Sequence, residues 1–232
     1  MKIFRSFQFV LVVSMTFLTV HAFGQDADSL LAKVRAKLAG VSDYTAEGIM
    51  KTDVSFMKVP DARITVYFKQ PDRFKIRKQD GISIMPKGGV NINLTTLFAG
   101  NRYTAVGAGK AAVNGTAVAV VKLLPLDEQS DVVVSTLYID EKEYLIRKAV
   151  ITTRENGTYE MEMSYGKYAN RGLPDKVSFI FSTKDYKLPK GLAIDYDAGE
   201  KPRNTTTNEK GKIEISYTSY AINTGLSNDI FN

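Results

Sequence analysis

Three carboxylate pairs are the residues best suited to chemistry: Asp127 with Glu128, Asp140 with Glu141, and Asp195 with Asp197. A pair converging on one point can work as acid and base, or hold calcium or magnesium through oxygen. Adjacent residues on a strand point to opposite faces, so the first two pairs do not converge if extended. Solvated turns account for them better. Gly107-Ala108-Gly109-Lys110 has a glycine-rich look but lacks the fuller phosphate-loop pattern and the helix that follows it, and it reads as a turn. Cysteine is absent, and the single histidine, His21, lies in what reads as a removable leader. Without imidazole or thiol, a Ser-His-Asp triad, a cysteine nucleophile and the usual zinc, haem and iron–sulfur centres are excluded. Carboxylate or lysine chemistry, an oxygen-ligand site for a hard cation, or binding without catalysis remain. The residues call for no cofactor and no particular metal.

The leader has a recognisable layout. Lys2 and Arg5 precede an apolar run from Phe7 to Val20, as in a cleavable secretory signal peptide. Ala22 and Gly24 offer cleavage sites, and cleavage before Gln25 is expected, which makes 1–24 the signal peptide and 25–232 a single domain. The run is shorter than the roughly 20 residues that a bilayer core demands. No cysteine follows it to take a lipid anchor. Removing the leader leaves 29 basic residues against 25 acidic ones, a net charge of +4. With no basic run interleaved with aromatics, that excess reads as a solvated surface rather than a nucleic-acid site. The expected destination is the periplasm, where a chain without cysteine must draw its stability from its core.

The elements that must position any site follow from periodicity. The 232 residues are 44% hydrophobic, enough for one sizeable core. From Asp28 to Leu38, the residues Leu30, Leu31, Val34 and Leu38 share one helix face, with Asp26 or Asp28 as N-cap and Gly40 as stop. The period then changes to two. Met50, Thr52, Val54 and Phe56 alternate with polar or small residues, as do Ile64, Val66 and Phe68, then Phe74 and Ile76. Asp80-Gly81, Asn114-Gly115 and Asn156-Gly157 are two-residue turn signals, the last between two strand-like runs. Further strands are expected at 131–140, 144–154, 158–165, 175–183 and 211–222, with shorter ones near 82–85, 90–93 and 102–106. A sheet of about eleven strands must curl or split. The fold class is therefore α+β, mainly β: one curved antiparallel sheet or open barrel. Two segments carry helical character, 94–98 and the unusually apolar 117–124, which Pro125 would end. Residues 196–208 are expected to form an exposed loop.

This layout resembles the LolA-like proteins, periplasmic carriers of lipoproteins bound for the outer membrane. The most specific stretch is ITVYFKQPDRFKIRK, from Ile64 to Lys78, which looks like the family's strand, Xaa-Pro, strand unit. The C-terminal YTSYAINTGLSNDIF also resembles the tail of outer-membrane lipoprotein-sorting proteins. The resemblance implies a half-barrel closed by a helical lid over an apolar cavity for acyl chains. It places Val54, Phe56, Ile64, Val66, Phe68, Phe74 and Ile76 on the cavity wall. Leu31, Val34 and Leu38 of the first helix would form the lid, together with Val120, Val121 and Leu124 of a second helix. In the best-known members an arginine before the proline latches the lid by hydrogen bonding. Here that position is Gln70, which donates and accepts but lacks the charge and the five-donor fork. Lys69, Arg73 and Arg77 are candidate substitutes.

Such a carrier has a physical task. Three acyl chains of about 14 methylenes each, at roughly 0.8 kcal/mol per methylene, cost on the order of 30 kcal/mol to expose to water. Non-covalent affinity saturates near about 20 kcal/mol, so partial burial and direct hand-off are required. The expected function is a monomeric, non-enzymatic carrier. Its partners would be lipoprotein acyl chains, an inner-membrane ABC-type release complex and an outer-membrane acceptor, and nucleic acid is not among them. A periplasmic lipid- or lipoprotein-binding sensor on the same fold is the alternative. A secreted hydrolase using paired carboxylates is a third possibility.

Overall fold

The chain enters its fold as a helix because Ala27, Leu30, Leu31 and Val34 recur at helical spacing and find a single apolar surface to cover. In the computed structural model, which describes residues 22–54, 57–79, 102–155, 157–182 and 210–231, helix α1 spans Ala22–Ala39. It starts earlier than the Asp caps suggest and stops at Gly40 as expected, where the Val41 amide bonds the Leu38 carbonyl at 3.1 Å.

Eleven strands follow: β1 (Asp43–Val54), β2 (Met57–Lys58), β3 (Ala62–Lys69), β4 (Arg73–Lys78), β5 (Tyr103–Val113), β6 (Thr116–Pro125), β7 (Val132–Asp140), β8 (Leu145–Thr153), β9 (Thr158–Ser164), β10 (Lys176–Ser182) and β11 (Lys210–Ile222). They form one antiparallel sheet in the order β4-β3-β1-β11-β10-β9-β8-β7-β6-β5, with β2 a short addition to β1. From β5 to β11 the sheet is a plain meander. The N-terminal group β1, β3 and β4 joins it through β1 against β11, so both termini meet mid-sheet. This is the curved sheet that pattern and length require.

The expected β3–β4 unit forms in register, with Phe68 opposite Phe74 and Val66 opposite Ile76. Asn114 and Gly115 turn β5 into β6 with φ of +48° and +79°, the two positive values that a tight hairpin turn demands. Close contact fixes another position. A Cβ on Gly48 would sit 2.7 Å from the Ser216 carbonyl oxygen, where β1 presses on β11 at a shift in register.

Two expectations are corrected. Residues 117–124 are not a helix but the body of β6, paired with β5 on one side and β7 on the other. Their three valines favour the pleated surface, the Asn114-Gly115 turn sets them antiparallel to β5, and Pro125 falls at the strand's end. Val120, Val121 and Leu124 are therefore sheet residues, not a lid helix. Likewise, Gly107 to Lys110 is not a turn but an irregularity within β5, where the register against β6 shifts. The expected strands near 82–85 and 90–93, the segment 94–98, the Asp80-Gly81 turn, the loop 196–208, Phe56 and the leader up to His21 lie outside the described residues.

The core lies on the concave face. Phe68, Phe179, Ile64, Leu137, Ile139, Ile146, Ile151, Met161 and Ile215 are among its largest fully buried side chains, with Leu31 and Val34 of α1 seated among them. The convex face carries charge instead, with Lys148 bridging Glu160 and Glu162, and Lys176 and Lys212 both on Glu214.

Candidate functional site

Helix α1 covers the concave face with one apolar stripe, and polar contacts gather along its rim. Ala27, Leu30, Leu31 and Val34 are each no more than 9% exposed, and Leu38 is half-buried against the same cluster. On one flank, Lys37 donates to the Glu143 carbonyl, and Lys33 lies 4.9 Å from the Tyr144 ring centre with its ammonium 3.4 Å from the hydroxyl. On the other flank, the Arg35 guanidinium lies 5.1 Å from the Tyr103 ring centre on β5. Below the last turn is a cavity of about 10 Å³ bordered by Val34, Leu38, Ile146 and Tyr165. That volume holds about one water.

The C-terminal end of α1 is tied with care. A helix leaves its last carbonyls without intrahelical partners. Here the Gln70 amide nitrogen donates to Val41 O at 2.9 Å and lies 3.5 Å from Ala39 O, and Asn223 Nδ2 donates to Gly40 O at 3.0 Å. The Asn223 side-chain oxygen in turn accepts from the Ser42 amide at 2.8 Å. Asp43, 5% exposed, accepts from the Thr224 and Gly225 amides at 2.9 and 3.2 Å. Lys69 donates to Leu226 O at 2.6 Å and Arg77 to Ile230 O at 3.5 Å. The β3–β4 turn and the C-terminal tail thus converge on the point where α1 enters β1. Gln70 stands at that point, and Lys69 and Arg77 bond the tail instead of the helix. The partners Asp43 and Asn223 are not evident from sequence. Asn223 has φ of +57°, a turn conformation that its side chain favours, and that is the one local signal.

Of the residues expected on the cavity wall, those described, all but Phe56, lie on one face of the sheet. Ile64, Val66 and Phe68 are 1% exposed or less and Val54 is 5% exposed, while Phe74 and Ile76 are half-buried at the β4 edge. Phe68 stacks obliquely on Tyr44, which meets Tyr220 edge-on at 5.4 Å. Burial raises the phenol pKa values of Tyr44, Tyr165, Tyr217 and Tyr220, and it pushes Tyr159 up to about 12, so these side chains stay neutral at physiological pH. Of the six residues expected in the lid, Leu31, Val34 and Leu38 share the helix stripe. Val121 enters the core from β6, and Val120 and Leu124 have the opposite parity, with Leu124 41% exposed.

Among the described residues, the aspartates of the first two carboxylate pairs are engaged by their own turns. Asp127 caps its own turn, accepting from the Gln129 amide at 2.9 Å. Asp140 is more than a solvated turn residue. It is 4% exposed and accepts from Arg147 at 2.8 Å and from the Lys142 and Glu143 amides. Burial alone would raise its pKa, but these donors together hold it below the ordinary carboxylate value. Asp195 and Asp197 lie outside the described residues. Among the described residues, no group of three or more His, Cys, Asp or Glu is placed to hold a metal ion.

The fold of this chain recurs among solved structures. A LolA superfamily protein from Nitrosomonas europaea superposes with a TM-score of 0.57 at 10% identity, over 89% of this chain and 97% of the other. This is the LolA fold. A domain assigned as an outer membrane lipoprotein-sorting protein from Vibrio parahaemolyticus matches it with a TM-score of 0.55 at 12% identity, over 90% and 97% of the two chains. A DUF1329 family protein from Desulfovibrio piger matches with a TM-score of 0.59 at 13% identity, over the same shares. No protein-family model and no curated protein matches the sequence. The likeness is thus one of backbone fold rather than of shared side chains.

Proposed function

We propose that the protein is a periplasmic, non-enzymatic carrier that shelters lipoprotein acyl chains on the concave face of its sheet and moves them toward the outer membrane. The observation that carries this reading is the seat of α1: an apolar stripe laid on an apolar hollow, with its polar ties at the rim. A stripe held this way can be exchanged for another apolar occupant of similar size. Burying Leu30, Leu31 and Val34 is worth roughly 1.5–3 kcal/mol each, whereas one acyl chain of about 14 methylenes offers roughly 11 kcal/mol. Cargo therefore displaces the helix with a modest surplus, and the helix returning to its seat assists release.

In this reading residues 1–24 are the export signal, and Val54, Phe56, Ile64, Val66, Phe68, Phe74 and Ile76 meet the chains. Leu31, Val34 and Leu38 form the lid, and Gln70 is its latch. An ATP-driven complex of the inner membrane loads the carrier and an outer-membrane acceptor unloads it. The family resemblance of the Ile64–Lys78 unit and the shared LolA fold support this assignment. The test is release of acylated lipoprotein from inner-membrane vesicles by the mature chain, with native mass spectrometry of the recovered protein. A complex with lipoprotein is expected. Failure to release any, with protein from cells free of lipid, overturns the reading, and stable capture without transfer to an acceptor favours a sensor.

A further inference from the structure

Among the described residues, one buried side-chain polar atom lacks a hydrogen-bond partner: the hydroxyl oxygen of Tyr103. Two other buried phenols are provided for, with Tyr165 donating to Ile146 O at 2.9 Å and Tyr220 to Pro174 O at 2.7 Å. Tyr103 opens β5 opposite Pro125, packs its ring against the core cluster and lies under the Arg35 guanidinium of α1. A buried hydroxyl without a partner carries its full desolvation cost. Phenylalanine would fill the same space without it. The position is also particular, because the apolar interior here meets the cationic rim of the lid, where the polar root of an inserted acyl chain would emerge.

We propose that the Tyr103 hydroxyl donates a hydrogen bond to the ester or amide carbonyl of a bound acyl group, so that the hollow recognises acyl linkages and not hydrocarbon alone. This deepens the carrier reading and rests on it. With α1 seated, the hydroxyl is unpaired, and a ligand carbonyl supplies the missing acceptor. Lipoproteins and glycerophospholipids both present such carbonyls, and the experiment separates them.

The mature chain is titrated with a synthetic diacylglyceryl lipopeptide, its dialkyl ether counterpart, and ester- and ether-linked phosphatidylglycerol. Wild-type protein is expected to prefer the ester lipopeptide over its ether by about tenfold, a preference that Tyr103→Phe abolishes. Thermal unfolding of the unliganded variant is expected at an unchanged or higher temperature, since nothing is lost with the hydroxyl. The same preference with phosphatidylglycerol extends the recognition to any glycerolipid ester, and its absence restricts it to lipoproteins. Equal binding of ester and ether lipopeptides by the wild type overturns the proposal alone and leaves the hydroxyl to a buried water. A clear drop in unfolding temperature for Tyr103→Phe also overturns it. Binding of none of the probes overturns the carrier reading, and this inference with it.

Discussion

Asp140 shows how a residue that looks unremarkable in sequence becomes structural through its neighbours. Its carboxylate closes the β7–β8 turn on two backbone amides and pairs with Arg147, and its pKa lies below the ordinary value despite burial. The unfolded chain therefore binds the proton more tightly than the folded one. The stability from this group is complete above about pH 4, the unfolded value, and drains away as pH falls toward the folded pKa. Asp140→Asn keeps an oxygen for the turn amides but loses the charge. It is expected to cost about 1–2 kcal/mol at neutral pH and to flatten the acid limb of stability, as urea unfolding between pH 3 and 7 will show. An unchanged acid limb would mean that other carboxylates set it. The sequence showed Asp140 beside Glu141 but not Arg147 beneath it, because the partner comes from the next strand across an irregular register.

At the scale of elements, α1 and β6 were read from the same kind of evidence with different success. The α1 stripe of Leu30, Leu31, Val34 and Leu38 is unambiguous because it spans several turns with charged residues between. The run 117–124 is apolar on both faces, and a short run of that kind has no period to distinguish helix from strand. Its flanking strands β5 and β7 settled the matter by supplying backbone partners. The joint after α1 also depends on contacts remote in sequence, since Gln70 and Asn223 hold the carbonyls that Ala39, Gly40 and Val41 leave open. Gln70→Ala should weaken the helix end by about 1 kcal/mol. Hydrogen exchange should quicken at residues 38–42 while β8 and β9 keep their protection. Gln70→Arg restores a donor and should bring exchange back toward the wild-type rate. Unaltered exchange in Gln70→Ala would show that Asn223 suffices.

For the whole molecule, the balance between helix and cargo is the quantity that matters. If α1 is the cover of the apolar hollow, charging its stripe should uncover that hollow without dismantling the sheet. Leu31→Asp with Val34→Asp is expected to lose several kcal/mol of stability, raise the fluorescence of a hydrophobic dye and leave the strand signal in circular dichroism intact. Cooperative loss of strand signal together with the helix would show that α1 is part of one indivisible core. The sequence alone determined the kinds of chemistry excluded, the amphipathic first helix and the alternation that demands a curved sheet, because composition and periodicity are local properties. The tertiary structure alone decided that β11 pairs with β1, that 117–124 is a strand, and that Asp43 and Asn223 bind remote groups. Each of these depends on which distant segment supplies the partner, and a pattern along the chain carries no information about that choice until the strands have paired.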